Sequence, residues 1–381
     1  MRKFDRWIFN SFEISPESLG LYRILFALFV LFIMSPGHSA YTQFALLSTL
    51  PGEFFDPPPG PMMLFNGFPG EIFFHGLVLV LNISLVALLV GYRTFWSSIA
   101  TGILLLIGFG FSYSLGKINH NLLVIILPLI LMWSNWGAAY SIDAINNSGN
   151  DRKVETWPLS LLLLFLGFMM FTAGFPKLLG GWLDPETMAT RGHLFRQYYV
   201  SGRTDLMAGY FLAFDVPWFW VMLDYFTVCF EIGFLFAIIH PVTTRLFLVL
   251  AVIFHSGTLL MLNIDFAGNI LIYGSFVDWK GFMNKIKRYI PIYNLKPLME
   301  LKYFPILIPF LGGIVYFLGS PFGLFNDTMT FASDLRPQEV LVVFGALMGT
   351  LLYYSLKVFS ILRRKKSIKV LSQSNGFFNS V

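Results

Sequence analysis

The fold is decided by the stretch 77–90, which reads LVLVLNISLVALLV, and by 125–133, which reads IILPLILMW. Both are apolar on every face, whereas a strand of a membrane barrel alternates polar and apolar positions. Longer runs free of Asp, Glu, Lys and Arg surround them, and each is near the roughly 20 residues with which a helix spans hydrocarbon. These runs fall at 72–92, 94–116, 118–142, 156–176, 246–264, 303–326 and 340–356. The pattern predicts an all-α, polytopic transmembrane bundle of about 8–10 helices.

The composition excludes a soluble globule. Of the 381 residues, 56% are hydrophobic, 18% aromatic and only 12% charged, about half the charged fraction that is usual in soluble domains. Cys229 is the only cysteine, so a disulfide, a CxxC redox pair and a multi-cysteine metal site are excluded within one chain. We interpret the net charge of +5 as basic residues at the cytoplasmic interface and not as a nucleic-acid surface.

The distribution of basic residues predicts the topology. Ten crossings are expected, at 19–35, 73–92, 96–114, 121–134, 158–173, 217–238, 246–262, 266–277, 303–318 and 339–358, of which 121–134 and 266–277 are short enough for half-helices. With both termini on one side, that side receives 19 of the 26 Lys and Arg residues. Basic residues concentrate on the cytoplasmic side of membrane proteins. The sequence therefore predicts an integral, multi-pass protein with cytoplasmic termini, in the cytoplasmic membrane if the source is bacterial.

The chain divides into four predicted parts. Residues 1–18 form a cytoplasmic segment, 19–280 a transmembrane core, 281–360 two further spanning helices with their connections, and 361–381 a basic cytoplasmic tail. The first apolar run is expected to be a retained helix and not a cleaved signal peptide, because Glu13 and Glu17 precede it. Segment 174–216, the longest non-cytoplasmic excursion, is expected to pack back on the bundle or on the membrane interface.

The first polar cluster of interest is Lys117-Ile118-Asn119-His120-Asn121, where the third span gives way to the fourth. In a helix, Lys117, His120 and Asn121 share one face. A partly desolvated amine there favours its neutral form and is suited to act as a general base. The alternative is a lysine that snorkels from a helix end, with asparagine capping the next helix.

A second cluster reads FTAGFPKL over 171–178 and continues with Trp182, Arg191 and His193. The small residues predict close approach to a neighbouring helix, Pro176 is expected to end the helix, and Lys177 then emerges at the outer interface. The alternative is an ordinary helix end with a tryptophan of the aromatic belt.

The third cluster lies late in the bundle, where Asp224 and Glu231 share a helix face and His255 follows in the next span. Carboxylates in spanning helices normally face the protein interior, so a basic or polar partner is expected for Glu231. Arg23 and His255 are the two candidates, and a structural ion pair is as compatible with the pattern as a functional one. No HExxH spacing is present, which argues against a catalytic zinc.

Taken in order, these clusters resemble the membrane domain shared by vitamin K-dependent γ-glutamyl carboxylases and the HTTM proteins, a group that includes membrane proteins of peptide-toxin maturation operons. The resemblance spans roughly residues 10–280. It rests on Leu21-Tyr22-Arg23-Ile24, Lys117 with Asn119-His120, Tyr140-Ser141-Ile142-Asp143, Phe171-Thr172-Ala173-Gly174 with Lys177-Leu178 and Trp182, and Phe254-His255.

The resemblance implies a quinone or hydroquinone cofactor and a role for the lysine before the Asn-His pair. In the carboxylases this base deprotonates vitamin K hydroquinone; after oxygenation a stronger base removes a proton from a peptide glutamate, and carbon dioxide is added. Lys117 and His120 are therefore the expected catalytic residues. This sequence departs from the carboxylases in the shorter spacing between Lys117 and His120 and in the absence of a large soluble domain after residue 280. The membrane fold is accordingly a firmer expectation than glutamate carboxylation.

Two functions follow as hypotheses. The first is a membrane protein that modifies or matures a peptide or a lipophilic, quinone-like substrate by carboxylase-like, lyase-like chemistry in an outward-facing pocket. Its substrate-binding residues are expected to be Asn119, Lys177, Trp182, Arg191 and His255, with Arg23, Asp224 and Glu231 as structural polar residues and no metal. The second is a non-catalytic membrane partner or a transporter-like component of an export or maturation system. The expected partners are the lipid bilayer, a secreted peptide or other maturation proteins, and no nucleic acid; a primary ion transporter is disfavoured because no repeat symmetry is visible.

Overall fold

The computed structural model describes residues 5, 7, 12, 14–31, 46–115, 121–146, 153–264, 266–282, 284, 340 and 343–360. These residues form helices and connecting turns without a β-strand, which confirms the predicted all-α bundle. The chain divides into two compact units, of which unit 1 comprises Met1–Phe165 with Ala267–Thr328 and unit 2 comprises Leu166–Phe266 with Met329–Val381.

Twelve α-helices, numbered in chain order, occupy the described ranges. They are α1 Pro16–Phe29, α2 Glu71–Val90, α3 Thr94–Ser112, α4 Leu122–Leu131, α5 Ile142–Asn146, α6 Trp157–Leu179, α7 Ala189–Tyr199, α8 Ala208–Leu212, α9 Pro217–Ala237, α10 Pro241–Leu262, α11 Ala267–Ser275 and α12 Val343–Ser360.

Six helices in the described part of the chain are long and apolar enough to cross a membrane, namely α2, α3 with the turn after it, α6, α9, α10 and α12. The prediction of a multi-pass membrane protein is thereby confirmed. The two segments expected to be short are short, since α4 has 10 residues and α11 has 9. The predicted span 303–318 lies outside the described residues, so the count of ten and the cytoplasmic position of the termini stay predictions.

Unit 1 is built on α1–α4 and α11, in which α3 packs between α2 and α4 while α1 contacts α2 and α11. The connection 46–70 folds back on α2 and α3, where Leu47 and Met62 join Phe74, Leu77 and Phe111 in one buried apolar cluster. Connection 46–70 is thus held to the bundle by the burial of its apolar side chains. Because the connection has little regular structure, this burial is its main source of stability.

The start of α1 is tied to the residues that follow α11. Ser18 Oγ donates to Asp278 Oδ1 over 3.1 Å and accepts from Lys280 N over 3.0 Å, while Lys280 Nζ pairs with Glu17 Oε1 at 3.0 Å. Burial raises the pKa of the Glu17 carboxyl, but its backbone hydrogen bond and Lys280 outweigh this effect, so the pKa lies below the usual value. Glu17 is therefore ionised at neutral pH and stabilises the join in that form.

Unit 2 contains the second part of α6, then α7 to α10. Helix α9 packs against α7 and α10, and α8 packs against α7 and α10. Segment 174–216 thus returns onto the bundle, with Leu194, Ala208 and Trp220 buried together against the end of α10. This agrees with the expectation that the excursion packs back, although helices α7 and α8 within it were not predicted.

Candidate functional site

The most unusual feature of unit 2 is an ion pair between two helices that are apolar enough to span a membrane. Lys177 Nζ on α6 lies 2.5 Å from both Oε1 and Oε2 of Glu231 on α9. The Glu231 side chain is only 5% exposed, and that of Lys177 is 24% exposed. Charges at membrane depth are costly unless they are paired. Here the Lys177 ammonium and the Glu231 carboxylate neutralise each other.

The ring of Trp182 completes the surroundings of the ammonium group. Lys177 Nζ lies 5.2 Å from the centroid of this ring, within the range in which a cation is attracted to an aromatic face. The backbone holds the two residues together, because Trp182 N donates to Lys177 O over 3.2 Å. The ammonium is therefore held by a carboxylate and an aromatic ring, and we call these three residues the Lys177 site.

Glycine 174 brings the two helices close enough for the Lys177 site to form. A Cβ atom at Gly174 would lie 2.7 Å from Glu231 Cβ and 3.1 Å from the backbone nitrogen of Ile232, distances at which the helices would have to separate. One turn later on the same face stands Lys177. The predicted close approach through small residues is confirmed. It occurs between Gly174 and Glu231, whose carboxylate pairs with Lys177.

Replacing Gly174 by alanine is therefore expected to weaken the Lys177 site. The added methyl group overpacks the helix contact, for which a cost of about 1–3 kcal/mol is usual. The matched control is Gly257→Ala on α10, where an added Cβ meets nothing within 4 Å and alanine favours the helix. Thermal unfolding of the detergent-solubilised protein should show a lower Tm for Gly174→Ala and an unchanged or higher Tm for Gly257→Ala; equal Tm values would contradict the contact.

Proline 176 does not end α6, so that prediction is wrong. The helix continues to Leu179 with Pro176 inside it, and its last turn is closed by Gly180 N, which donates to Pro176 O over 2.8 Å. Proline removes one hydrogen bond and strains the preceding turn, but this is tolerated in apolar helices when neighbours and hydroxyl groups compensate. Because the helix persists, Lys177 points from a helical face toward α9.

The partner of Glu231 is Lys177, which the sequence had predicted as a substrate-binding residue and not as the partner of this carboxylate. The expectation of a basic partner is confirmed, but the partner is Lys177, which is neither of the two candidates. His255 lies buried on α10, where its ring centroid is 4.5 Å from that of Phe266 and 5.3 Å from that of Phe254. His255 thus occupies an aromatic environment within unit 2.

Arginine 23, in unit 1, is fully buried and binds backbone carbonyl groups. Its Nη1 donates to Trp136 O over 3.4 Å, and its Nη2 donates to Tyr140 O. Gly91, in the left-handed region at φ +69°, passes so close that a Cβ there would lie 2.5 Å from Arg23 Nη1. Arg23 therefore ties α1 to the turn that follows α4, and the turn after α2 packs against its guanidinium.

Asp224 shares the buried face of α9 with Glu231 but has a different function in the fold. Its carboxylate accepts hydrogen bonds of 2.7 Å from the backbone nitrogens of Ala189 and Thr190, and one from the Thr190 hydroxyl. A carboxylate at a helix start satisfies unpaired N–H groups and complements the helix dipole. Asp224 is the cap of α7, supplied by a helix 35 residues further along the chain.

Asp143 repeats this arrangement in unit 1, and sequence reasoning did not identify it as a cap. It accepts from Arg93 N over 2.8 Å and from Thr94 N over 2.7 Å at the start of α3. In both cases the residue before the helix has a positive φ, +45° at Arg93 and +40° at Met188. Both helix starts have a threonine in the first turn, Thr94 in α3 and Thr190 in α7. This threonine is visible in the sequence, but the aspartate that caps each helix cannot be identified without the fold.

Arg191 is the remaining binding candidate in the described residues. Its Nη1 lies 2.9 Å from Asp215 Oδ1, and its guanidinium is 5.4 Å from the ring of Phe195. The ion pair joins α7 to the turn before α9. Asp215 was not singled out from the sequence.

The structure places Lys177, Trp182, Arg191, Asp224, Glu231 and His255 in unit 2 and Arg23 in unit 1. Lys117, Asn119 and His120 lie outside the described residues, so their catalytic and binding roles stay predictions. Within the described ranges, no group of three or more His, Cys, Asp or Glu side chains is arranged to hold a metal ion.

Comparison with known proteins identifies a family model that matches the chain. No curated protein and no solved structure matches the chain. The family model described as the HTTM domain matches residues 12–275, which is more than half of the chain and includes both the Arg23 contacts and the Lys177 site. The chain belongs to the HTTM family.

Proposed function

We propose that this HTTM protein modifies or matures a peptide or a lipophilic, quinone-like substrate, and that Lys177 binds that substrate. The observation that carries the proposal is the ion pair in the Lys177 site. Ionisable groups in spanning helices are rare because they are costly, and they characteristically mark functional sites. Such a pair beside an aromatic ring, on helices of this composition, supports a binding role.

The geometry of the Lys177 site suits an oxygen acceptor attached to an apolar body. An ammonium group has three N–H donors, and the two Glu231 oxygens account for two of them. The third is directed to a carbonyl or carboxylate oxygen of the substrate, while Trp182 offers an aromatic face for stacking. A quinone carbonyl and a peptide carbonyl both meet this description, and a bound quinone would supply redox chemistry.

The catalytic part of the proposal rests on the family resemblance. We assign Lys117 as the candidate base and His120 as its catalytic neighbour, with Asn119, Arg191 and His255 as further binding residues. The Lys177 site is proposed to face the non-cytoplasmic side, in agreement with the distribution of basic residues in the sequence.

The test compares variants in cells and follows small secreted peptides by mass spectrometry. Lys117→Ala is expected to lower the amount of modified peptide by about 10²–10⁴-fold, the usual contribution of a general base. The double variant Lys177→Met/Glu231→Leu replaces both charges by apolar groups and is expected to fold while losing substrate binding. Full activity of a correctly inserted Lys117→Ala protein removes Lys117 from the chemistry, and full activity of the double variant removes the Lys177 site from substrate binding.

The second candidate function is a non-catalytic membrane partner or a transporter-like component of an export or maturation system. It is favoured by the same ion pair, which also serves as a tie between α6 and α9, and by Asp224, whose contacts are those of a helix cap. Incubation of the purified protein with a labelled quinol and with a labelled peptide separates the two functions. Binding without turnover favours the partner, and conversion of either compound favours the enzyme.

A further inference from the structure

The two short helices of unit 2 have one buried and one exposed apolar side. Leu194 on α7 and Ala208 on α8 pack with Trp220 and with Met261 and Leu262 at the end of α10. This side accounts for the packing of both helices on the bundle. The exposed rings of these helices lie outside this buried cluster and contact rings near them in sequence, as Tyr199 contacts Phe195 and Tyr210 contacts Phe214.

Large side chains of α7, α8 and the start of α9 are exposed. Tyr199 is 70% exposed, Tyr210 is 63% exposed, and Trp218, in the first turn of α9, is 69% exposed. Val200, which follows Tyr199, is exposed as well. In water, a patch of this kind is unfavourable and marks a contact surface. We call Tyr199, Val200, Tyr210 and Trp218 the aromatic patch.

The anchoring contacts place the patch at the level where two spanning helices end. Asp224, the cap of α7, lies about 10 Å along α9 from its first residue, at 1.5 Å per residue. Met207 N, just before α8, donates to Leu260 O in the last turn of α10 over 3.0 Å. Asn263, just after α10, exchanges two hydrogen bonds with the backbone of Asp205, at 2.9 and 3.0 Å. The contacts at Leu260 and Asn263 thus lie at the end of α10, next to the headgroup layer, which occupies roughly 5–8 Å on each side of the hydrocarbon.

We propose that α7 and α8 lie in the membrane interface and that the aromatic patch contacts phospholipid headgroups. Tyrosine and tryptophan have an apolar body and a polar tip, and both prefer this layer. Arg196, exposed on α7, supplies a guanidinium group of the kind that binds lipid phosphates. The patch is also continuous with the exposed apolar surface of α9, on which Met222 follows Trp218 by one turn. The occupant is thus the bilayer on the side where α9 begins.

The first experiment measures the accessibility of spin labels in phosphatidylcholine vesicles. Cys229→Ala removes the sole cysteine, after which single cysteines are introduced at positions 199, 210 and 218. Position 222, exposed on the spanning helix α9, is the lipid control, and position 186, exposed beside Asp184 in the loop before α7, is the water control. The ratio of oxygen to nickel-chelate accessibility at the three patch positions should lie between those of the two controls.

Two results overturn the proposal. A ratio equal to that at position 186 means that the patch faces water. Labels that are immobilised and shielded from both reagents mean that a protein partner or a second copy covers it.

A second measurement avoids the introduced labels. Lipids brominated near the headgroup should quench the tryptophan emission of the native protein, and Trp218→Phe should reduce the quenched fraction. Trp220→Phe, two residues away at a buried position, is the matched control and should not reduce it. An unchanged quenched fraction in Trp218→Phe contradicts the contact with lipid, whatever the result for the proposed activity.

Discussion

Glu231→Leu should destabilise the protein more than any other single substitution of a carboxylate in unit 2. The substitution leaves the Lys177 ammonium without its partner in a site where the pair is mostly buried. Breaking a buried pair costs about 3–5 kcal/mol, and the value here should fall toward the lower end because a quarter of the lysine side chain is exposed. Unfolding in mixed detergent micelles measures the loss.

A double variant and a surface variant test whether the loss of stability comes from the unpaired charge. Lys177→Met/Glu231→Leu should recover most of the lost stability, since apolar replacement of both charges leaves no buried charge unpaired. Glu186→Leu, at an exposed position, should change the free energy of unfolding by no more than about 0.5 kcal/mol. If Glu231→Leu behaves like Glu186→Leu, the ion pair contributes nothing to stability.

Gly91→Ala should be the most damaging conservative change in unit 1. Its φ of +69° lies in the left-handed region, where a side chain costs roughly 1–2 kcal/mol, and the added Cβ would lie 2.2 Å from Ser141 Cβ and 2.5 Å from Arg23 Nη1. Neither neighbour moves freely, because Ser141 Oγ donates to Gly137 O and the Arg23 guanidinium binds two carbonyl groups. With the overpacking added, we expect a loss of about 2–5 kcal/mol.

Gly76, inside α2, the helix that Gly91 follows, supplies the control for this prediction. A Cβ there meets nothing within 4 Å, and alanine is more favourable than glycine in a helix by about 1 kcal/mol. Thermal unfolding should therefore show a large fall in Tm for Gly91→Ala and none for Gly76→Ala. A small effect at Gly91 would show that the Arg23 contacts rearrange at little cost.

The spanning helices were predictable because their signal is local. Burial in lipid requires an unbroken apolar run, so α2 and α9 begin and end within two residues of the predicted limits. Helix α10 begins at Pro241 and not at 246 because His240 caps it, with Val242 N donating to His240 Nδ1 over 3.2 Å. Arg245, which had limited the prediction, is accommodated because it lies in the first turns of the helix.

The connections were less predictable because their determinants are distant in sequence. Helix α7 begins at Ala189, where Met188 provides no side-chain cap, and its cap is Asp224 on another helix. Glu231 likewise finds its partner 54 residues earlier in the chain. The sequence indicates that a buried carboxylate needs a partner but does not identify that partner. The position of Lys177 on the same helix face as Gly174, which contacts Glu231, agrees with the observed pair.

The pairing of Lys177 with Glu231 also determines how a transmembrane potential acts on these two charges. A transmembrane potential of 100 mV does about 2.3 kcal/mol of work on each elementary charge that crosses it. Because the ammonium and the carboxylate lie 2.5 Å apart, their opposite charges feel nearly the same potential, and the net force on the pair is close to zero. An energised membrane therefore exerts almost no net force on the pair while both groups are charged.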